Sequence, residues 1–171
     1  FKYVNMNILV TGGNSPLGIF FIRRLLSTYT NCSIVALSRA FLDIEDKRLE
    51  VISFNLIRDS FNLDQEFDIV IHAAAAVPNN VKDLSELSAV NLTGSYNLFK
   101  RIKLSVNATI INISSSSAIE GNEGRIAYAS SKSALTTSTK VMARELSSFN
   151  IRCNTVSPGL TDTKMMRDSH T

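Results

Sequence analysis

The chain predicts an α/β fold, a parallel doubly wound sheet with helices on both faces. Two observations carry that expectation. Apolar runs of strand length alternate with segments of helical periodicity from Asn7 to Val156, and such alternation implies right-handed crossovers and a parallel sheet. The glycine-bearing and polar motifs also fall directly after the strands. Ligands of such sheets bind there, beyond the carboxyl ends of the strands and near the point where strand order reverses.

Taken in order, residues 7–10 predict the first strand. Residues 16–29 predict a helix, with Leu17, Phe20, Phe21 and Leu25 at helical spacing. Strands are expected at 33–37, 50–54 and 68–73, the last a near-continuous apolar run suited to burial on both faces. Residues 83–103 read as helix, broken near Ser88. A fifth strand follows at 108–113, a long helix at 127–149 and a sixth strand at 151–156. No repeat or linker interrupts the pattern, so residues 1–171 are expected to form one domain.

Composition narrows the function. The net charge is +3, but the basic residues are scattered rather than gathered on one face, which argues against nucleic acid as a partner. No apolar run approaches the length of a membrane span. Cys32 and Cys153 lack metal-ligand spacing and read as reduced core thiols, which with the absence of a visible secretory signal suggests a cytoplasmic protein. With His72 and His170 the only histidines, no metal site is expected.

The first strand runs into Thr11-Gly12-Gly13-Asn14-Ser15-Pro16-Leu17-Gly18. Gly12 can turn the chain sharply, Gly18 can let the helix pack closely, and the helix N-terminus can offer N–H groups to a pyrophosphate. Gly12, Asn14, Ser15 and Gly18 are therefore candidate cofactor contacts; the alternative is an ordinary strand-to-helix turn with an N-terminal proline. Ser38 and Arg39 end the second strand. An acid there would hold the ribose 2′-hydroxyl of NAD, whereas a hydroxyl and a guanidinium suit the 2′-phosphate of NADP. NADP(H) is thus preferred, with NAD(H) as the lesser option; a solvated surface arginine is the competing reading.

Tyr128 and Lys132 lie one helical turn apart in Tyr-Ala-Ser-Ser-Lys. A free phenol titrates near 10, too high for proton exchange at neutrality, and a nearby ammonium is expected to lower that value. Tyr128 then becomes a candidate general acid for a carbonyl oxygen, with a serine of the cluster at 114–117 to hold the same oxygen. Alone, the pair would be a helix-start tyrosine and a surface lysine. His72 reads as a core or loop-capping histidine rather than a base. No Gly-x-Ser-x-Gly elbow exists to support a hydrolase.

Read in order, these residues resemble the short-chain dehydrogenase/reductase family over nearly the whole chain. Residues 11–18 look like its glycine motif, and His72-Ala73-Ala74-Ala75 falls where the family usually has Asn-Asn-Ala-Gly. Asn91 in Val-Asn-Leu-Thr-Gly looks like its active-site asparagine, and Ser115 ends a segment similar to its serine motif, thirteen residues before Tyr128. The stretch from Ile151 to Gly159 is similar to the segment under the nicotinamide.

The resemblance implies a Rossmann-type sheet in the order 3-2-1-4-5-6 and an NADP(H)-dependent oxidoreductase acting on a small carbonyl or alcohol. It implies Tyr128 as proton donor or acceptor and Lys132 as ligand of the nicotinamide ribose. Ser115 would orient the carbonyl, and Asn91 would hold a water in a proton relay. Ala73, Ala74, Pro158, Gly159 and Thr163 would line the cofactor site, and Asn55 would stand toward adenine. Pairing through the helices of Asn91 and Tyr128 into a homodimer or homotetramer is also implied. Three departures stand out: Pro16 replaces the middle glycine, His72 to Ala75 looks more like the epimerase branch, and the substrate-covering segment expected after Gly159 is not in view. A nucleotide-sugar epimerase or dehydratase, and a non-catalytic dinucleotide-binding regulator, are the alternatives.

Overall fold

The structure, a computed structural model, describes residues 5–59, 63–77 and 84–161. Six strands, β1 (Met6–Thr11), β2 (Cys32–Ser38), β3 (Leu49–Ser53), β4 (Glu66–His72), β5 (Lys103–Ile113) and β6 (Arg152–Val156), form one sheet in the order β3-β2-β1-β4-β5-β6. Every neighbouring pair is parallel. The chain moves from β1 to one side of the sheet and returns to β4 on the other, so strand order reverses between β1 and β4 and opens a crevice at their carboxyl ends.

Burial explains why these segments are strands. Successive side chains of a strand point to opposite faces, and β1 divides accordingly. Leu9 packs with Val35, Val70, Ile110 and Leu98 on one face. Ile8 and Val10 pack with Ile34, Ala36, Ile71 and Ile22 on the other. Helix α1 (Pro16–Thr28) covers the second face through Ile22, and α5 (Ile126–Glu145), which follows the single-turn α4 (Ser117–Glu120), lies over the first with Met142 and Ala143 against its core. Cys32 and Cys153 are buried free thiols, and burial raises the pKa of both. Among the described residues no helix is long and apolar enough to cross a membrane.

Three elements differ from expectation. The fifth strand starts at Lys103, not at 108, because Lys103 and Leu104 already pair with Glu66 and Phe67 before the register shifts. Asn107 has a φ of 70°, and this irregularity interrupts the apolar pattern by which a strand is recognised. The last long helix ends at Glu145, followed by a single 3-10 turn, α-helical geometry giving way before Asn150 in the left-handed region. The helix over 84–101 is continuous rather than broken near Ser88. It runs as α2 (Leu84–Ser88), a π-helical stretch Ala89–Gly94, and α3 (Ser95–Arg101).

Candidate active site

A cleft of about 730 Å³ opens over the crevice between β1 and β4, within the size range of small-molecule sites. Arg39 and Asn55 line one end, Gly12, Asn14, Ser15 and Leu17 the middle, and Ser115, Tyr128, Lys132, Pro158 and Gly159 the other. Ala73 and Ala74 line it from the end of β4. The proposed cofactor and reaction residues thus meet in one groove although they come from all over the chain. Gly18, Ser38 and Asn91 lie behind its wall rather than in it. Thr163 lies outside the described residues.

The glycine turn is built by close approach. Gly12 adopts a φ of 70°, and a Cβ there would come within 2.8 Å of the Ala74 backbone. Gly18 makes room for the Gly12 carbonyl, so it packs the helix onto the turn rather than onto the sheet. Ser15 is the N-cap of α1, its hydroxyl accepting from the Gly18 N–H at 3.0 Å, and Pro16 occupies the first helical position. The first turn therefore keeps few free donors. Pro16 has none and Gly18 is capped, which leaves Leu17, in the cleft, as the residue whose N–H has no partner within the helix. The proline and serine close the turn differently from a glycine-rich version while keeping the helix end aimed at the cleft.

Asn14 ties the turn to β2. Its side-chain oxygen accepts from the Arg39 N–H at 3.4 Å and lies 3.2 Å from the Ser38 hydroxyl oxygen, competing with the closer Ala40 carbonyl for its single proton. The Ser38 hydroxyl donates to the Ala40 carbonyl and is almost fully buried. Its geometry assigns it to this loop, not to the cleft, and leaves the exposed Arg39 as the cation at that end. Asn55 closes a small turn by accepting from Ile57 and Arg58, so its side-chain NH₂ is the group left for a ligand.

At the other end, Lys132 is 4% exposed and donates to the Ile113 carbonyl at 2.8 Å. Burial pushes its pKa down to about 8. Its ammonium lies 6.0 Å from the Tyr128 ring centroid. The expected lowering of the tyrosine does not appear in the ligand-free protein. Burial raises the Tyr128 pKa, while hydrogen bonding to Ser115 and the charge of Arg125 pull it back in part. Lys132, held at about 8, has lost its proton before the phenol ionises and so offers no charge to oppose the desolvation. The Ser115 hydroxyl also accepts from the Ser117 N–H at 3.2 Å, which fixes its position.

The lysine has a measurable consequence. Its native pKa near 8 lies below the unfolded value of 10.5. Between these values the unfolded chain holds a proton that the native chain has lost, so raising the pH favours the native state. Lys132 is expected to contribute a gain on the order of 3 kcal/mol from pH 8 to 10.5, partly offset in the wild type by the raised pKa values of Cys32, Cys153 and Tyr128, so the stability of wild type relative to Lys132→Met should rise across the window. Chemical denaturation of both proteins across this window measures the difference.

Asn91 lies in the π-helical stretch, and its amide is fully engaged. It accepts from the Ala76 N–H at 2.7 Å and donates to the Ala76 carbonyl at 3.0 Å and to the Ser131 hydroxyl at 3.1 Å. Ser131 in turn donates to the Tyr128 carbonyl at 2.8 Å. Asn91 therefore holds the loop after β4 against the tyrosine-bearing helix. His72 continues the chain of bonds. Ser95 donates its one hydroxyl proton to the Asn91 carbonyl at 2.9 Å, so it must accept from His72 Nε2, 2.8 Å away. Thr11 Oγ1 accepts from the Ala74 N–H at 3.2 Å and donates to His72 Nδ1 at 2.8 Å. These directions require a neutral, Nε2-protonated imidazole, and burial, assisted by the charge of Lys132, drives its pKa down to about 3. His72 is the core histidine that its position suggested.

Sequence reasoning missed Ser95, Thr11, Ser131 and Arg125. Ser131 and Arg125 had a signal, each lying three residues from Tyr128 in the chain; Thr11 and Ser95 had none, since their partner comes from a different element. Among the described residues no group of histidine, cysteine and carboxylate side chains could hold a metal.

Comparison with known proteins agrees with this geometry. A family model described as enoyl-(acyl carrier protein) reductase matches residues 42–171. The 3-oxoacyl-[acyl-carrier-protein] reductase FabG of Chlamydia muridarum is 28% identical over 192 aligned residues, covering 96% of this chain and 77% of that protein. The 2,3-dihydro-2,3-dihydroxybenzoate dehydrogenase of Bacillus subtilis is 32% identical over 129 residues, covering 64% of this chain and 49% of its own. A short-chain dehydrogenase family protein from Francisella tularensis superposes with a TM-score of 0.84 at 24% identity, over 97% of this chain and 74% of that one. The chain belongs to the short-chain dehydrogenase/reductase family, a class of oxidoreductases, and shares its parallel six-stranded sheet.

Proposed function

We propose that this chain is an NADP(H)-dependent oxidoreductase that exchanges hydride with a small carbonyl or alcohol, with Tyr128 as its acid–base group. The observation that carries the reading is the meeting of Ser115, Tyr128 and Lys132 at one end of a single cleft whose other end holds Arg39. The cleft fits an extended dinucleotide. Arg39 and Asn55 would hold the adenosine end, Gly12, Asn14 and Leu17 the pyrophosphate, and Lys132, Pro158 and Gly159 the nicotinamide end. When bound, the nicotinamide supplies or accepts the hydride.

The protein's own residues do the rest. Ser115 orients the substrate oxygen. Tyr128 gives it a proton during reduction and takes one back during oxidation. Lys132 would donate to the nicotinamide ribose with the N–H groups its bond to Ile113 leaves over, and Asn91 keeps the helix of Tyr128 in register with the loop after β4. Because burial raises the Tyr128 pKa, the phenol is protonated at neutral pH, which suits carbonyl reduction. His72, which suggested the epimerase alternative, is engaged by Thr11 and Ser95 and lends that alternative no support. Exposed Leu92 and Tyr96 on one helix and Val141 on α5 are consistent with pairing of two copies across these helices.

A carbonyl panel assayed for NADPH oxidation tests the activity; cofactor binding with no turnover on any carbonyl would favour a non-catalytic dinucleotide-binding protein. Titration with both cofactors tests the choice. NADPH is expected to bind more tightly than NADH. Arg39→Ala is expected to weaken NADPH by about 1.5–3 kcal/mol, the cost of one charge-assisted hydrogen bond, and to spare NADH. Equal affinities in the wild type would reject the preference.

A further inference from the structure

Arg125 is the N-cap residue of α5, three residues before Tyr128 in the chain, and its own backbone is not helical. It lines the cleft beside Tyr128, Ser115 and Lys132 and is half-buried. Its backbone serves the fold, the N–H donating to Asn122 at 3.1 Å and the carbonyl accepting from Ala129 at 2.8 Å. Its guanidinium has no hydrogen-bond or ion-pair partner among the described residues. Such a group is permanently charged, and its planar fork matches an anionic oxygen pair. The other two cations of the cleft have work assigned: Lys132 is bonded to Ile113, and Arg39 lies at the far end. Glu86 and Glu120 also line the cleft, yet the charge that acts on the Tyr128 phenol is that of Arg125. Since Arg125, Tyr128 and Ser115 line the same cleft, this cation faces the space in which a substrate would lie.

We propose that Arg125 is the substrate-specificity residue of this cleft and binds an anionic oxygen group, a carboxylate or a phosphate, borne within a few bonds of the reacting carbon. This rests on the oxidoreductase reading of Tyr128. The preferred substrates are therefore keto acids, hydroxy acids or carbonyl phosphates rather than neutral aldehydes and ketones.

The test compares substrates that differ in charge and little in shape. Acetoacetate is set against methyl acetoacetate for the carboxylate arm, and dihydroxyacetone phosphate against dihydroxyacetone for the phosphate arm. In one arm the wild type is expected to favour the anion, and Arg125→Gln to lower its kcat/KM about 10–100-fold, the range of a charge-assisted hydrogen bond. The neutral partner should change less than about 3-fold, and Arg125→Lys should restore part of the loss. An equal fall for charged and neutral substrates would overturn the proposal, leaving Arg125 as a modulator of Tyr128 only.

A second measurement does not depend on turnover. Glutarate and inorganic phosphate are titrated calorimetrically into wild type and Arg125→Gln, with and without NADP⁺. Loss of wild-type anion binding in the variant supports the proposal even if no carbonyl is reduced, in which case the oxidoreductase reading alone fails. Equal binding by both proteins, or none by the wild type together with no preference for charged substrates, overturns it.

Discussion

Tyr128→Phe is expected to lower turnover by about 10²–10⁴-fold, the contribution of a positioned acid–base group, while NADPH affinity and fold persist. The substitution removes one oxygen from a partly buried ring and leaves the ring packing intact. The hydroxyl's interaction with Ser115 is lost, but Ser115 keeps its bond to the Ser117 N–H. Steady-state kinetics on any accepted carbonyl, with NADPH titrated in parallel, separates the two effects. Unchanged turnover would remove the tyrosine from the chemistry. The direction of the reaction adds a pH signature. Because the ligand-free phenol is held above its usual value of 10 by burial, reduction should be little affected near neutrality, whereas alcohol oxidation should accelerate as the pH rises toward that value.

Acid unfolding should report on His72. The imidazole titrates at about 3 in the native protein and at 6.5 when unfolded. Its contribution to stability is fully present above pH 6.5 and is lost as the pH falls toward 3, because the unfolded chain takes up a proton that the native chain refuses. The loss across that window is on the order of 4–5 kcal/mol. His72→Leu should be less stable at pH 7, since it leaves the buried Thr11 hydroxyl proton without an acceptor and removes a donor from Ser95, yet it should lack this part of the acid dependence. Denaturant melts of both proteins at pH 7 and pH 4 check the prediction. Parallel curves would mean that the imidazole does not remain neutral.

The fold was legible because strands buried on both faces announce themselves as apolar runs, as the strands read at 7–10 and 68–73 do. The start of β5 was not, since a strand that carries a register shift and a residue at positive φ loses its pattern. In the site, Tyr128, Lys132 and Ser115 were readable from spacing and resemblance, and the structure gathers them in one cleft. Their electrostatics were not readable. Desolvation depends on the whole enclosure, so proximity of a lysine alone gave the wrong sign for Tyr128. The surroundings of Ser38 were not readable for a related reason: its hydroxyl sits among partners of its own loop and beside Asn14, twenty-four residues earlier.

The π-helical stretch at Ala89–Gly94 has a consequence for how this sequence tolerates length change. A widened turn accommodates one residue more than a regular α-helix over the same span. Leu87, Asn91 and Ser95 are spaced by four, and all three are buried; in a regular helix a spacing of four overshoots each turn of 3.6. The wide turn absorbs that excess and keeps all three pointing inward. Loss of a single residue between Ala89 and Gly94 would rotate everything on one side by about 100° relative to the other. Asn91 and Ser95 could then no longer reach Ala76 and His72 together. Surface-exposed Leu92 looks dispensable by its burial, but in this segment a deletion is a change of phase rather than a trimmed surface.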